Sequence, residues 1–520
     1  MKQLGYYDIR FWYKGLIYSF GMFLFVCSYL DMMCDESLLG LETTEMDTVL
    51  IEQKNADVIE EGRPMTLDEV MREAFENNLD IKLARIEKAI KGTSLKSAYS
   101  IYDTYLDLEF GYTDADRQSA STVSGTASLT TTYEASLKKK LPTGTTLELS
   151  NTNKRLKSDS PFVDINPSFD SSTELEVTQS VLKNIGGMID RGTVRLTKID
   201  ISKFDHTTKQ RIEETLAGVE KLYWGLVEAR KIVQAKYHAL EKAQALLDIN
   251  RKKLETGLSE DTDVYASEAN LHLRQIEVLI AENAYEDTLN SLKLALYDFS
   301  DEKIVPVESL DVDERLPEEE AVFRQAFAQR RDYLRQKEDV EAKDINIKLT
   351  SNSRWPELDL IGSFALNGLD SGSGGAYDVM TSADHTTYYI GAEFSFNLEN
   401  RKAGSEHEKA RFEKQKSLIE LEQIEKAILV ELDEKLRNLK LALFTVKEAG
   451  QVEELQTKKL ESEEKKLGRG RSNSFTVIDF QEDLIQAEKE HISARASYKK
   501  ALVDLELAQN AILNKWGFEE

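Results

Sequence analysis

Two periodicities divide the chain. Ile212, Val219, Leu226, Val233, Leu240, Leu247 and Leu254 recur every seven residues, with Leu216, Tyr223 and Tyr237 in the seam between them. A heptad of this kind predicts a helix packed as in a coiled coil. The pattern resumes beyond Gly257 as Val264, Leu271, Val278, Tyr285 and Leu292, so one helix runs up to Gly257 and another runs back. That is an antiparallel helical hairpin. A second hairpin follows, with Leu432, Leu439, Val446, Leu460 and Leu467, then Val477, Leu484, Tyr498 and Leu505; Glu453 and His491 interrupt its heptad without ending it. Prolines at 64, 142, 161, 167, 306, 317 and 356 leave 168–305 and 357–520 free for long helices. A helix from about Arg191 to Glu255 spans on the order of 95 Å, longer than a compact domain.

The two hairpins are copies. Lys252 to Leu292 superimposes without a gap on the segment 213 residues further on, from Lys465 to Leu505. Gly257 and Ser259 fall on Gly470 and Ser472, Val264 on Val477, and Leu271, Ala281 and Tyr285 on Leu484, Ala494 and Tyr498. A register kept at apolar, glycine and aromatic positions alike predicts one shape made twice.

Between the helices the period changes to two. Leu106, Leu108, Phe110 and Tyr112 alternate with Asp107, Glu109 and Gly111, as in a strand with one apolar face. The same holds at Leu129–Leu137, Thr145–Leu149 and Leu175–Val181, and in the second copy at Leu358–Leu366 and Ile390–Leu398. Strands of about ten residues with one apolar face suit a membrane β-barrel, and the periodicity fits a soluble half-buried sheet equally well. The polar stretches Thr113–Ser128 and Asn367–Thr387 read as exposed loops. Ser371-Gly372-Ser373-Gly374-Gly375 lacks the Lys-Ser or Lys-Thr of a phosphate cradle and shows no evident helix start.

Charge and composition narrow the function. A net charge of −26, with 31% charged residues, argues against nucleic-acid binding, which needs clustered Lys and Arg. Lys2, Arg10 and Lys14 precede the apolar run Gly15 to Leu30, the pattern of a secretory signal peptide, with a single membrane anchor as the alternative. Cys27 and Cys34 both lie in or beside that run, so an exported chain has no internal disulfide. Past it, no stretch has the roughly 18 to 20 apolar residues of a spanning helix, so a further membrane segment must be made of strands. The six histidines, 206, 238, 272, 385, 407 and 491, are scattered, and His238 and His272 alone make a poor metal site. No catalytic constellation, metal site or cofactor motif is present.

The order of elements in each copy is short helix, strand, loop, strand, long helix, tip, long helix. This order resembles the TolC-like outer-membrane efflux protein family. Thr66-Leu67-Asp68-Glu69-Val70 with Ala74, Asn77, Asn78 and Leu79 resembles its opening helix, echoed at Glu320-Ala321-Val322 and Ala326-Phe327. Trp355-Pro356-Glu357-Leu358 resembles the start of a barrel strand, and Val177 to Leu182 with Gly186-Gly187 resembles a strand exit, with Ser180 where the family usually has proline. Phe396-Asn397-Leu398 and Asn400-Arg401 resemble the second exit. Gly257-Leu258-Ser259 with Thr262-Asp263-Val264, and Gly470-Arg471-Ser472 with Val477-Ile478-Asp479, resemble the two loops of the periplasmic mouth.

The resemblance covers roughly residues 64 to 520. It implies a mixed, mostly α fold: a trimeric β-barrel in the outer membrane, continuous with an α-helical tunnel across the periplasm. The domains expected are a signal peptide (1–34), an N-terminal linker (35–63), a first repeat (64–305), a linker (306–316) and a second repeat (317–520). The implied partners are two further copies of the chain, outer-membrane lipid, a periplasmic adaptor and an inner-membrane transporter, in a tripartite efflux pump or type I secretion system. The rival reading is an exported coiled-coil scaffold without a pore.

The resemblance also assigns residues. Asp263 matches the family's latch aspartate, Ser472 stands where its arginine partner is usual, and Arg471 is one residue earlier. Its two acidic ring positions map to Thr476 and Asp479. Gly257, Leu258, Ser259, Gly470, Arg471 and Ser472 match positions that receive the adaptor. The family contributes four strands per protomer and twelve per trimer, whereas the first copy here has four strand-like stretches by itself, with Leu141-Pro142-Thr143-Gly144 as a turn. The extra pair is readable as an extended hairpin or loop, which leaves the barrel's strand count open.

Overall fold

The computed structural model describes residues 62–118, 125–257 and 259–518. The expected signal segment 1–34 with its two cysteines, nearly all of the 35–63 linker, and Leu258 lie outside the described residues. The chain opens with β1 (Arg63–Met65), α1 (Leu67–Asn77) and α2 (Leu79–Tyr99), the first helix held by a capping box between Thr66 and Glu69. Four strands follow, β2 (Thr104–Asp116), β3 (Ala127–Lys140), β4 (Thr145–Ser158) and β5 (Ser168–Ser180). The hairpin α3 (Met188–Glu255) and α4 (Asp261–Leu296) completes the first copy, and β6 (Ile304–Pro306) pairs in parallel with β1.

The second copy comprises α5 (Glu319–Gln329), α6 (Arg331–Asn352), β7 (Glu357–Asp370), α7 (Ser373–Ser382) and β8 (Thr386–Ser395). Its hairpin is α8 (Arg401–Gly468) and α9 (Ser474–Ala508), and the short α10 (Ile512–Trp516) ends the chain.

The duplication reaches further in the backbone than in the sequence. α3 and α8 are each 68 residues long, and Met188 and Arg401 are again 213 apart. Left-handed backbone recurs at the same offset: Gly257 and Gly470 have φ of 71° and 70°, and Tyr297 and Asn510 have 58° and 52°. Ahead of the sheet the offset is 252, from Leu67 to Glu319 and from Leu79 to Arg331. The fall from 252 to 213 is the β3–β4 hairpin, which the second copy lacks.

The helices form one layer, four abreast. Near the sheet the order is α2, α3, α6, α8; towards the tips it is α4, α3, α9, α8. Near the sheet the layer is tied by ion pairs, such as Lys88 with Asp205 at 2.6 Å, Arg195 with Glu341 at 2.7 Å and Lys203 with Asp339 at 2.7 Å. Lower down, apolar cores take over, one around Ile212, Leu216, Tyr223 and Leu292 and one around Leu432, Leu439, Tyr498 and Leu505. The heptad residues therefore face neighbouring helices, as the periodicity predicts.

The six strands form one antiparallel sheet in the order β2, β3, β4, β5, β7, β8. All six predicted stretches are strands, although β8 stops at Ser395, short of Phe396 and Leu398. Pairing aligns Leu106, Leu137, Leu149, Leu175, Phe364 and Tyr388 in a row across every strand on one face. The next row, on the other face, begins Asp107, Ser136, Ser150, Glu174. Exposure on the apolar face reaches 74% at Leu108 and 92% at Ile390, so no described residue covers it there.

One loop expectation needs correcting. The serine- and glycine-rich segment after β7 opens a helix, α7, which lies back on β5 and β7 with Ala376 and Met380 buried. The Tyr377 hydroxyl donates to Asn151 Oδ1 at 3.0 Å, and a Cβ at Gly368 would lie 2.0 Å from the Ala376 carbonyl oxygen. Serine and glycine have poor helix propensity, and burial against the sheet overrides it. The Asp370 carboxylate crowds the first turn of α7, where a Cβ at Gly375 would lie 1.8 Å from its oxygen.

Candidate functional site

The ends of the two hairpins lie side by side, and their geometry follows from how each long helix stops. α3 ends with Gly257 donating its N–H to Leu254 O at 2.9 Å, and α8 ends with Gly470 donating to Leu467 O at 3.2 Å. A left-handed residue closes each helix, the conformation glycine adopts without steric cost. Apart from their chain neighbours, no described residue comes within 4 Å of where a Cβ would stand on either glycine, so the conformation and not crowding requires them here.

The return helices are capped differently. At the first tip the Ser259 hydroxyl donates to Asp263 Oδ2 at 2.9 Å. At the second, Asn473 Oδ1 accepts from the Thr476 N–H at 2.9 Å and its hydroxyl at 2.8 Å, an N-cap. Ser472 donates to Glu463 Oε1 at 2.7 Å, and Lys466 pairs with the same carboxylate at 2.8 Å. Those two contacts, Lys466 first, hold Glu463 below the usual carboxylate range.

A buried polar chain ties the tips together. Asn250 of α3 donates to the Ser267 hydroxyl of α4 at 2.6 Å, and Ser267 donates to the Asp263 carbonyl at 2.9 Å. Across the boundary between the hairpins, Ser474 of α9 donates to Asn250 Oδ1 at 3.1 Å. Asn250 and Ser267 are fully buried, and Lys253 Nζ reaches the Leu467 carbonyl at 3.2 Å. Two helical turns further on, Arg274 of α4 is buried, pairs with Glu277 at 2.8 Å and also with Glu482 of α9. Burial works to raise Glu277; hydrogen bonds from Lys236 and Arg274 outweigh it and leave it lowered.

No protein-family model and no curated protein matches the sequence. Solved structures do match. CusC, described in terms of transmembrane channel formation, superimposes with a TM-score of 0.63 at 12% identity, over 85% of this chain and 91% of its own. The Campylobacter jejuni CmeC outer membrane channel gives 0.58 at 16% identity, over 88% and 87%. The open Neisseria gonorrhoeae MtrE outer membrane channel gives 0.62 at 13% identity, over 86% and 89%. The chain has an outer-membrane-channel fold.

Within that fold, the residues singled out in the sequence sit at the ends of the hairpins. Asp263 is partly buried against Ser259, while Arg471 and Asp479 are exposed. Among the described residues no ion pair joins Arg471 to Asp263, whose carboxylate takes the Ser259 hydroxyl instead. Gly257, Ser259, Gly470 and Ser472 lie in the turns. His238 and His272 do not meet: His238 lies 3.9 Å from Glu241 and His272 hydrogen-bonds Gln275 at 3.0 Å.

The polar chain through Asn250 escaped the sequence reading. Its one trace there is a polar residue three positions after Leu247, in a stretch where the seam is otherwise apolar.

Proposed function

We propose that the chain is one protomer of an outer-membrane exit duct, serving a tripartite efflux pump or a type I secretion system. Three copies close the sheet into a barrel in outer-membrane lipid and the helical layer into a tunnel across the periplasm. The carrying observation is the row Leu106, Leu137, Leu149, Leu175, Phe364 and Tyr388, exposed on one face of the sheet and backed by a polar face. An apolar face this large is stable only against lipid or another protein, and a spanning sheet must close to satisfy its edges. Among the described residues no helix is long and apolar enough to cross a membrane.

At the periplasmic end the tips gate the tunnel. Asp263 and Arg471 latch neighbouring hairpins, and Asp479, repeated three times around the axis beside Thr476, forms an acidic ring that favours cations. Gly257, Ser259, Gly470, Arg471 and Ser472, with Leu258, receive a periplasmic adaptor, which links the duct to an inner-membrane transporter. The work is conduction, with no catalytic step and no cofactor. Fractionation of cells and electrophoresis without heating test this reading. A heat-modifiable trimer in the outer-membrane fraction supports it; a soluble, extended dimer supports the scaffold reading instead.

A further inference from the structure

The barrel's width is written in the β3–β4 hairpin, and we infer that it has eighteen strands, six from each of three copies, with a bore as wide as the helical tunnel beneath. The inference rests on the duct reading and adds to it the size of the exit. β3 pairs with β2 along its length, from Thr104 opposite Lys139 to Asp116 opposite Ala127. β4 pairs with β5 in the same way, from Thr145 opposite Gln179 to Leu156 opposite Ser168. β2 and β5 therefore never touch, and the hairpin cannot be a flap beside a four-stranded wall.

The hairpin carries the same two faces as its neighbours. Leu137 and Leu149 continue the apolar row, and Ser136 and Ser150 continue the polar one. Its lower end is fixed to the helical layer: Lys140 pairs with the buried Asp190 of α3 at 2.8 Å, and a Cβ at Gly187 would lie 2.2 Å from the Pro142 carbonyl oxygen. Its turn thus sits where strands become helices, as the other strand ends do.

The widths agree with six strands. Strands about 4.8 Å apart and tilted about 40° occupy about 38 Å of circumference when there are six, and about 25 Å when there are four. Four helices abreast, about 9 Å between axes, occupy about 36 Å. Six strands over four helices join without a step. Around three copies, eighteen strands give a backbone diameter of about 36 Å and twelve give about 24 Å.

The closing seam is already prepared. β2 and β8 are the two free edges, and they run in opposite directions, so β2 of one copy meets β8 of the next as an antiparallel pair. The exit then admits polar solutes as bulky as the tunnel itself can carry.

Cryo-electron microscopy of the full-length protein in lipid nanodiscs tests the inference. The expected map shows eighteen strands, a backbone diameter of about 36 Å and β2 seated against a neighbouring β8. A closed barrel of twelve strands with β3 and β4 outside the wall overturns the inference and leaves the duct reading standing. Particles with no closed barrel overturn the duct reading itself.

Discussion

Glu453 and His491, the two residues that interrupt the heptad of the second hairpin, hydrogen-bond to each other across α8 and α9. Their counterparts 213 residues earlier are Leu240 and Val278, an apolar pair that keeps the heptad intact. Both breaks are thus one substitution of a polar contact for an apolar one. Removing one partner leaves the other half-buried and unpaired, whereas replacing both restores the seam. Glu453→Leu and His491→Val are each expected to destabilise the hairpin by about 1–2 kcal/mol, and the double variant to be neutral or more stable. A double-mutant cycle read by thermal unfolding checks this, and additive losses would contradict it.

Glu213 predicts a pH dependence. It is fully buried on α3, accepts from Asn510 Nδ2 at 2.9 Å and lies 3.8 Å from Arg331. Burial raises its pKa from 4.5 to about 7 against the opposing pull of Asn510 and Arg331. The folded state keeps the proton over a range in which the unfolded chain has released it. Stability from this group therefore falls as pH rises from about 4.5 to about 7, then levels off; the whole effect is on the order of 3 kcal/mol. Glu213→Gln removes the slope, so its stability relative to wild type should climb between pH 5 and pH 8. Parallel curves for the two proteins would refute the assignment.

At the tips, Asn250→Ala is expected to unlink the hairpins. The substitution removes the acceptor of Ser474 and the donor to Ser267 in a fully buried setting, at a cost of about 1–3 kcal/mol. Hydrogen exchange should then quicken in the turns around Gly257 and Gly470 while the core around Tyr223 keeps its protection. Unchanged exchange at the turns would mean that apolar packing around Leu467 and Val477 holds the tips without the polar chain.

The helical hairpins were legible in the sequence because seven-residue spacing and a gapless repeat report helix packing directly. The strands were legible from alternation, down to the Leu141–Gly144 turn. Three features were not. α7 reads as a loop because Ser373, Gly374 and Gly375 carry no helical pattern, and its stability comes from β5 and β7, distant in sequence. The Asn250, Ser267 and Ser474 chain needs three helices brought together, and each residue by itself looks like an imperfection in a seam. The place of β3 and β4 was open for the same reason: alternation identifies a strand but not its neighbours.

Asp479 is exposed on the second turn of α9 and, in the proposed trimer, faces its own copies. Asp479→Asn is expected to shift the reversal potential in a salt gradient towards zero by weakening cation preference. Acids on the polar face of the sheet, including Asp107, Glu134 and Glu174, leave part of that preference in place. An unchanged reversal potential would remove Asp479 from the gate.

A sheet that meets lipid and closes around water must conduct ions. Electrical recording of the purified full-length trimer in planar lipid bilayers is expected to show discrete conductance steps with a preference for cations; a folded trimer that leaves the bilayer insulating would rule the duct out.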